Sequence, residues 1–212
     1  PIIWQTTLGE GYAGPAVLNG RVYVLDYNEK RKADMLRCFS LKSGEELWRR
    51  WYNVEFKRNH GYSRTIPAVT EKYVVTIGPR SHVMCVDPLN GKLLWSIDLE
   101  KEYGVPGSVK GKITPDFYCG QCPLIDNDVA IISPGGKALM IGVDCATGKV
   151  IWKTPNLMTR TTCLKLNSKV KLRSTWPNTY LKSQKRFITV MTSGYALLAA
   201  FVLKINTPGK WR

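Results

Sequence analysis

Acidic residues are absent from the last third of this 212-residue chain. All 16 aspartates and glutamates lie at or before Asp144, whereas an ordinary composition would place about eight after it. Of the 31 lysines and arginines, 20 lie in residues 1–156 and 11 in residues 157–212. The net charge is therefore +4 for residues 1–156 and +11 for residues 157–212. A basic balance usually points to nucleic acid or an anionic membrane. In this chain most of the positive charge lies in residues 157–212, which we call the tail. We therefore predict no nucleic-acid binding by residues 1–156.

Histidine is scarce, and this limits the metal chemistry that the sequence supports. His60 and His82 are the only histidines, and neither belongs to a metal-spaced motif. Cys119 and Cys122 form a C-x-x-C, but a zinc site needs a second pair or suitably spaced histidines. Pro123 follows where haem attachment requires histidine. We therefore predict no metal site and interpret the pair as structural thiols, with a disulfide as the alternative.

Long hydrophobic runs and a recognisable leader are also lacking. The longest candidate membrane span is 187–203, whose 17 uncharged residues are at the lower limit for crossing a bilayer and include several polar side chains. Three interpretations of 157–212 stay open: an authentic basic or disordered extension, a segment with this weak span, or an out-of-frame translation that begins near Asn156. No charged n-region or cleavage site is visible, so export is not indicated by a leader.

Residues 1–156, in contrast, contain one phrase three times. "CFSLKSGEELW" (38–48), "CVDPLNGKLLW" (85–95) and "GVDCATGKVIW" (142–152) align without gaps, and tryptophan always stands four residues after glycine. Upstream of each, a proline opens a strand–turn–strand pattern, as in "GPAVLNGRVYVLD". A repeat period of roughly 40–55 residues is typical of propellers and solenoids. The shared positions are Gly44, Trp48, Gly91, Trp95, Asp144, Gly148 and Trp152.

Each copy predicts four antiparallel strands. Asn19-Gly20 is a tight hairpin turn, and the glycine of each repeated phrase supplies a positive-φ turn before the tryptophan strand. Four-stranded repeats stacked radially make a β-propeller, in which a large aromatic at a fixed position covers the neighbouring blade. We predict an all-β fold with about three blades over residues 1–156 and an unassigned tail over 157–212. Cys38 and Cys85, at equivalent positions, are predicted to be small buried strand residues.

The phrase Asp-x-x-Thr-Gly-Lys-x-x-Trp at 144–152 resembles the tryptophan-docking repeat of PQQ-like propellers. This superfamily includes quinoprotein alcohol dehydrogenases and outer-membrane-assembly lipoproteins, and the resemblance covers about residues 1–156. It implies a periplasmic or secreted location. Propellers need four to eight blades, so we expect this chain to be an arc of a larger ring, with "IIWQTTLG" as the closing strand of a preceding blade.

Two long connections are the predicted place for function, because binding residues gather on loops held by a rigid scaffold. Residues 53–65 and 101–122 each join an outer strand to the next inner strand, so both lie on one face near the central channel. An arginine there suits an anionic partner. Capping of blade edges and hydrogen bonding to the loop backbone is the interpretation we favour for these side chains, and ligand binding is the alternative. The candidate cofactor- or ligand-binding residues are His60, Tyr62, Arg64, Asp116, Tyr118 and Gln121.

Two functions follow from the resemblance. The first is a non-catalytic propeller that binds a protein or glycan partner in the cell envelope. The second is a dehydrogenase that oxidises an alcohol or sugar with PQQ and calcium, whose cofactor site would lie mostly outside this chain. No calcium-ligating set or catalytic base is assigned within the three repeats, and the adjacent cysteine pair of many quinoprotein dehydrogenases is missing. The first function is therefore the prediction.

Overall fold

The structure is a computed structural model, and it describes residues 1–55, 62–104, 118–155, 188–190 and 199–201. The chain divides into two compact units, Pro1–Asn156 and Leu157–Arg212. In the described residues, the first unit contains three four-stranded antiparallel sheets and one short helix. The second contains one antiparallel strand pair, β13 (Ile188–Val190) and β14 (Ala199–Phe201).

The first sheet is a meander in which each strand pairs with the next. Its turn residues Asn19 and Gly20 have φ angles of 48° and 71°, the positive pair that an Asn-Gly hairpin adopts. The second, third and fourth strands have eight residues each, longer than their equivalents in the later sheets. The strands are β1 (Ala16–Leu18), β2 (Arg21–Asn28), β3 (Ala33–Ser40) and β4 (Glu46–Asn53).

The second and third sheets repeat the same order. The second consists of β5 (Ala68–Val69), β6 (Val74–Ile77), β7 (His82–Val86) and β8 (Leu93–Asp98), and it is followed by helix α1 (Leu99–Tyr103). The third consists of β9 (Leu124–Asp126), β10 (Val129–Ile132), β11 (Ala138–Asp144) and β12 (Val150–Pro155). The predicted three repeats of four strands are confirmed.

The sheets pack face against face in chain order. The first strands are neighbours, since β1 contacts β5 and β5 contacts β9. Tyr23 and Leu25 of the first sheet share a buried cluster with Val74 and Val86 of the second. A larger buried cluster joins the second sheet to the third. Consecutive four-stranded sheets with adjacent first strands are the blades of a partial β-propeller, as the repeat predicts.

Indole N–H groups link the first sheet to the second and the second to the third, and Trp4 of the N-terminal segment makes the same bond to the first sheet. The acceptor is always the backbone carbonyl three residues before the turn glycine of the following sheet. The Trp95 bond is buried and the Trp48 bond is partly buried, and because an N–H removed from water needs a partner, these bonds hold their indoles in place. The three bonds run from Trp4 to Leu41 (2.8 Å), from Trp48 to Pro88 (3.1 Å) and from Trp95 to Cys145 (2.8 Å).

The turn glycines are required at these contacts for two reasons: their backbone has a positive φ, and the neighbouring indole leaves no room for a side chain. Gly44, Gly91 and Gly148 have φ angles of 73°, 69° and 73°, which confirms the predicted positive-φ turns. A Cβ on each would also lie 2.5–2.6 Å from an indole atom of the preceding tryptophan. Each repeated phrase thus carries a glycine that leaves room for the preceding indole. The phrases at 38–48 and 85–95 also carry the tryptophan that packs on the glycine of the following sheet.

The position opposite each repeat tryptophan must be small. Cys38 pairs with Trp48 and Cys85 pairs with Trp95, and both cysteines are fully buried, as predicted. In the third sheet Gly142 pairs with Trp152, and a Cβ there would lie 2.2 Å from the indole.

Two local predictions differ from the structure. Residues 1–9 contain no strand, although Trp4 makes the same indole contact as the later tryptophans. A strand requires a ladder partner, and no described strand forms a ladder with this segment, although Trp4 packs against Val22 and Phe39 of the first sheet. The connection that begins near residue 101 starts as helix α1, whose N-cap Asp98 accepts a hydrogen bond from the Lys101 backbone N–H at 3.1 Å.

Candidate functional site

One face of the sheet stack carries both long connections, because successive antiparallel strands reverse direction. We call it the loop face. It comprises the hairpins at 29–32, 78–81 and 133–137 and the described parts of the connections at 54–67 and 99–123. The turns that bear Gly44, Gly91 and Gly148 lie on the opposite face. His60 and Asp116 lie outside the described residues, so their predicted roles stay predictions.

Three tyrosines from separate segments meet beneath the loop face. The rings of Tyr27 and Tyr62 stack with centroids 4.4 Å apart and planes inclined by 17°. Tyr62 is only 2% exposed, and the Tyr27 hydroxyl donates to the Val54 carbonyl at 3.1 Å. Tyr118 packs against this pair but is only half-buried. Tyr62 therefore supports the surface, whereas Tyr118 contributes to it.

The backbone holds Tyr118 in a conformation that non-glycine residues rarely adopt. Its φ is +64°, in the left-handed region. The next residue anchors the segment, since the Cys119 N–H donates to the Pro79 carbonyl at 2.8 Å. A strained residue that is fixed by its neighbours is a common feature of binding sites.

Arg64 and Gln121 reach the same surface from successive connections. A Cβ on Gly120 would lie 3.6 Å from the Arg64 side chain, so the two connections run side by side. The Gln121 amide donates to the Ser133 carbonyl at 2.9 Å, which ties the second connection to the third sheet. The Ile66 N–H lies 3.3 Å from the Cys122 sulfur. The structure thus brings together the four described candidates: Tyr62, Arg64, Tyr118 and Gln121.

A buried polar cluster lies below these residues. Asp34 on β3 is fully buried, and it accepts hydrogen bonds from the Ser63 hydroxyl and, at 3.1 Å, from the Tyr52 hydroxyl. The Tyr52 ring lies against His82, with centroids 4.3 Å apart. The cluster therefore connects the first sheet, the first connection and the second sheet.

Burial controls the protonation of this cluster. Burial raises the pKa of Asp34 to about 7, although the bonds from Ser63 and Tyr52 act in the opposite direction. Burial, followed by the charge of Asp34, raises the pKa of Tyr52 well above its usual value. Burial lowers the pKa of His82. At neutral pH the Tyr52 and His82 side chains are therefore uncharged.

The described cysteines are free thiols: Cys38, Cys85, Cys119, Cys122 and Cys145. Burial raises the pKa of the Cys119 thiol, which disfavours the thiolate, while Cys122 is exposed. Within the described ranges, no group of three or more His, Cys, Asp or Glu side chains is placed to hold a metal ion.

The sequence feature that indicates the Asp34 cluster is the presence of aspartates within predicted strands, which an analysis of strand periodicity does not consider. Asp26 and Asp34 are charged residues inside two strands that are otherwise largely apolar. Asp26 accepts hydrogen bonds from Arg37 at 2.9 Å and from the Gly9 N–H at 2.6 Å. A carboxylate inside a buried strand needs such a partner, but the partners of Asp34 come from distant segments of the sequence.

The tail adds no described site. Within the predicted span 187–203 the structure describes the paired strands β13 and β14, and the other residues lie outside the described part. In the portion of the chain that the structure describes, no helix has the length and apolar character needed to span a bilayer.

Comparisons with solved structures find similar folds at low identity. BamB from Moraxella catarrhalis is 14% identical with a TM-score of 0.44, and the match covers 68% of this chain and 36% of that one. Quinohemoprotein alcohol dehydrogenase from Comamonas testosteroni is 18% identical with a TM-score of 0.48, covering 69% and 21%. A europium-containing methanol dehydrogenase is 16% identical with a TM-score of 0.46, covering 70% and 25%. This chain therefore spans between a fifth and about a third of their lengths.

A family model gives the clearer assignment. No curated protein matches the sequence significantly. The model described as "Outer membrane protein assembly factor BamB" matches residues 1–104 and 31–173, which together include all three sheets and every indole contact described above. The chain therefore belongs to this family of PQQ-like β-propeller proteins.

Proposed function

We propose that this chain is part of a non-catalytic propeller of the cell envelope that binds an acidic segment of a protein partner on its loop face. The observation that carries the proposal is the convergence of two successive connections on one fixed surface. Tyr118 and Gln121 are anchored through Pro79 and Ser133, and they lie beside Arg64 and the exposed Ile66. Tyrosine and arginine, together with tryptophan, are enriched among the residues that contribute most binding energy at protein interfaces.

The charge of the connections favours an acidic partner. Residues 53–65 and 101–122 carry six lysines and arginines against three acidic residues. One of those acids, Glu55, already pairs with Lys32 at 2.7 Å. Opposite charge across an interface accelerates association and selects the partner. The family description, an outer membrane protein assembly factor, supports a protein partner and an envelope location for the whole protein.

Site-specific crosslinking tests the proposal in cells that express the full-length protein. A photoreactive benzoylphenylalanine replaces Ile66 on the loop face or, as a matched control, Leu89 on the opposite face; both side chains are exposed. We expect one envelope protein to crosslink at position 66 and not at position 89. Capture at both positions, or of a glycan alone, would contradict the proposal.

A charge reversal then tests the chemistry of the partner. Arg64→Glu should weaken binding of the purified partner about tenfold or more, since it replaces attraction by repulsion, while Arg64→Lys should retain most of the affinity. Binding should also weaken as salt is raised. An absorbance titration of the full-length protein with PQQ and calcium is the complementary test. Tight stoichiometric binding there would favour a quinoprotein dehydrogenase and reject the non-catalytic assignment.

A further inference from the structure

Asp34 is a buried carboxyl group that bonds only to hydroxyl groups in the described structure. Its residue exposure is 0%, and its partners are the Ser63 and Tyr52 hydroxyls. Among the described residues no lysine or arginine forms an ion pair with it. The nearby Arg37 pairs instead with Asp26 at 2.9 Å and Glu46 at 2.6 Å. Burying an ionised carboxylate without a cation is costly.

No space for water remains on one side of this carboxyl group. A Cβ on Gly78 would lie 2.7 Å from the Asp34 Oδ2 and 1.9 Å from the Tyr52 hydroxyl oxygen. Gly78 directly follows β6 and begins the hairpin at 78–81 of the second sheet. The carboxyl group is therefore shielded by the first sheet, by Ser63 and by the second sheet.

Ser63 attaches the first connection, residues 54–67, to the rest of the first unit through hydrogen bonds. The Tyr12 N–H donates to the Ser63 carbonyl at 2.7 Å, and Gly11 forms a parallel bridge with Ser63. Two residues later the Thr65 hydroxyl donates to the Ile77 carbonyl at 2.6 Å. Residues 62–65, which carry Tyr62 and Arg64, therefore depend on the Asp34–Ser63 contact for part of their attachment.

The other titratable groups near Asp34 do not supply a compensating positive charge. The carboxylate of Asp26 raises the pKa of Asp34 after the larger effect of burial, and His82 contacts Tyr52 rather than Asp34. The groups that face the cluster from the surrounding elements are Asp26 and Tyr27 of β2, Tyr52 of β4, His82 of β7, Asp98 of β8 and Cys119 of the second connection.

We propose that Asp34 is a protonation switch for residues 62–65, which are held firmly when the carboxyl group is neutral and loosen when it ionises. A neutral Asp34 can share hydrogen bonds with the Ser63 and Tyr52 hydroxyls without a buried charge. An ionised Asp34 is stabilised when the segment opens, because water can then hydrate the carboxylate. The switch requires no bound partner.

The direction of the pH effect follows from the raised pKa. In the folded protein the pKa of Asp34 is about 7, so the carboxyl group keeps its proton up to about that pH, whereas the ordinary pKa of a hydrated aspartate is 3.8. The closed state therefore holds more protons between these values, and the stability that protonation gives is present in full at low pH and is lost as pH rises towards 7. Burial lowers the pKa of His82, so that group acts in the opposite direction, favouring the closed state as pH rises.

Amide hydrogen exchange of the full chain tests the switch. After correction for intrinsic rates, we expect the protection of residues 62–66 to fall by up to about tenfold per pH unit between pH 5 and pH 7 and then to level off. Asp34→Asn mimics the neutral acid and should remove this fall, leaving the segment protected at pH 8. Asp126→Asn, on a strand of the third sheet, is the matched control and should keep it.

Two results would overturn the switch: protection in the wild-type protein that does not depend on pH, or an unchanged fall in Asp34→Asn. If Asp34→Asn does not fold, Ser63→Ala decides. The Ser63 hydroxyl favours the ionised carboxylate, so its removal should move the midpoint to higher pH. A midpoint that stays in place would reject the role of Asp34. None of these readouts needs a partner, so failure of the proposed function leaves the result unaffected.

Discussion

At the scale of single residues, the turn glycines combine two separate requirements. Gly91 has a positive φ, and its missing side chain leaves room for the Trp48 indole. Gly20 has an equally positive φ of 71°, but a Cβ there would meet no atom within 4 Å. The comparison of these two glycines separates backbone strain from side-chain crowding.

We expect Gly91→Ala to be clearly more destabilising than Gly20→Ala. A left-handed alanine costs about 1–2 kcal/mol at either position. At Gly91 the displaced indole adds about 1–3 kcal/mol of overpacking. Urea unfolding of the full chain, with equal m-values for the variants, measures the difference. Equal losses would show that the indole moves away freely and that the turn needs glycine only for its backbone.

At the scale of single elements, β4 carries two tryptophans with opposite environments. Trp48 is partly buried and donates its indole N–H to the Pro88 carbonyl, which also accepts from the Tyr23 hydroxyl at 3.3 Å. Trp51 is 45% exposed, with the Arg31 guanidinium 5.7 Å from its ring centroid. The strand therefore contains a structural tryptophan and, three residues later, a surface tryptophan.

Replacing each of these tryptophans by phenylalanine tests that distinction. Trp48→Phe removes the hydrogen bond to the second sheet and should cost about 1–2 kcal/mol of unfolding free energy. Trp51→Phe keeps an aromatic ring beneath Arg31 and should cost less than about 0.5 kcal/mol. Denaturant unfolding monitored by circular dichroism measures both. A loss for Trp51→Phe as large as that for Trp48→Phe would contradict the assignment of Trp48 as the link between sheets.

The sequence predicts these elements well because glycine turns and strand alternation are local signals. Helix α1 escaped prediction because five residues are too few to show helical periodicity. The candidate site was predicted less completely. Tyr62 stacks on Tyr27, a contact that no local pattern in the sequence indicates, and its role in ligand binding stays a prediction. Asp34 was missed because Ser63 lies 29 residues further along the chain.

At the scale of the whole molecule, each described sheet is joined chiefly to its neighbours. One buried cluster joins the first and second sheets, and another joins the second and third. The indoles of Trp48 and Trp95 cross these same two boundaries. Stability in such stacks is approximately a sum of repeat terms and nearest-neighbour interface terms. A defect at one boundary should therefore remain local.

Trp95→Ala tests whether the stack behaves in this way. Trp95 is 9% exposed, and truncating a buried tryptophan costs about 3–5 kcal/mol. We expect faster amide exchange in β7, β8, β10 and β11, with β2 and β3 of the first sheet still protected. Trp48→Ala is the reciprocal variant, and it should loosen the first and second sheets while β10 and β11 stay protected. Hydrogen exchange of the full chain, measured peptide by peptide, distinguishes these patterns. A uniform loss of protection in all three sheets would contradict nearest-neighbour behaviour, because it would show that the sheets unfold as one cooperative unit.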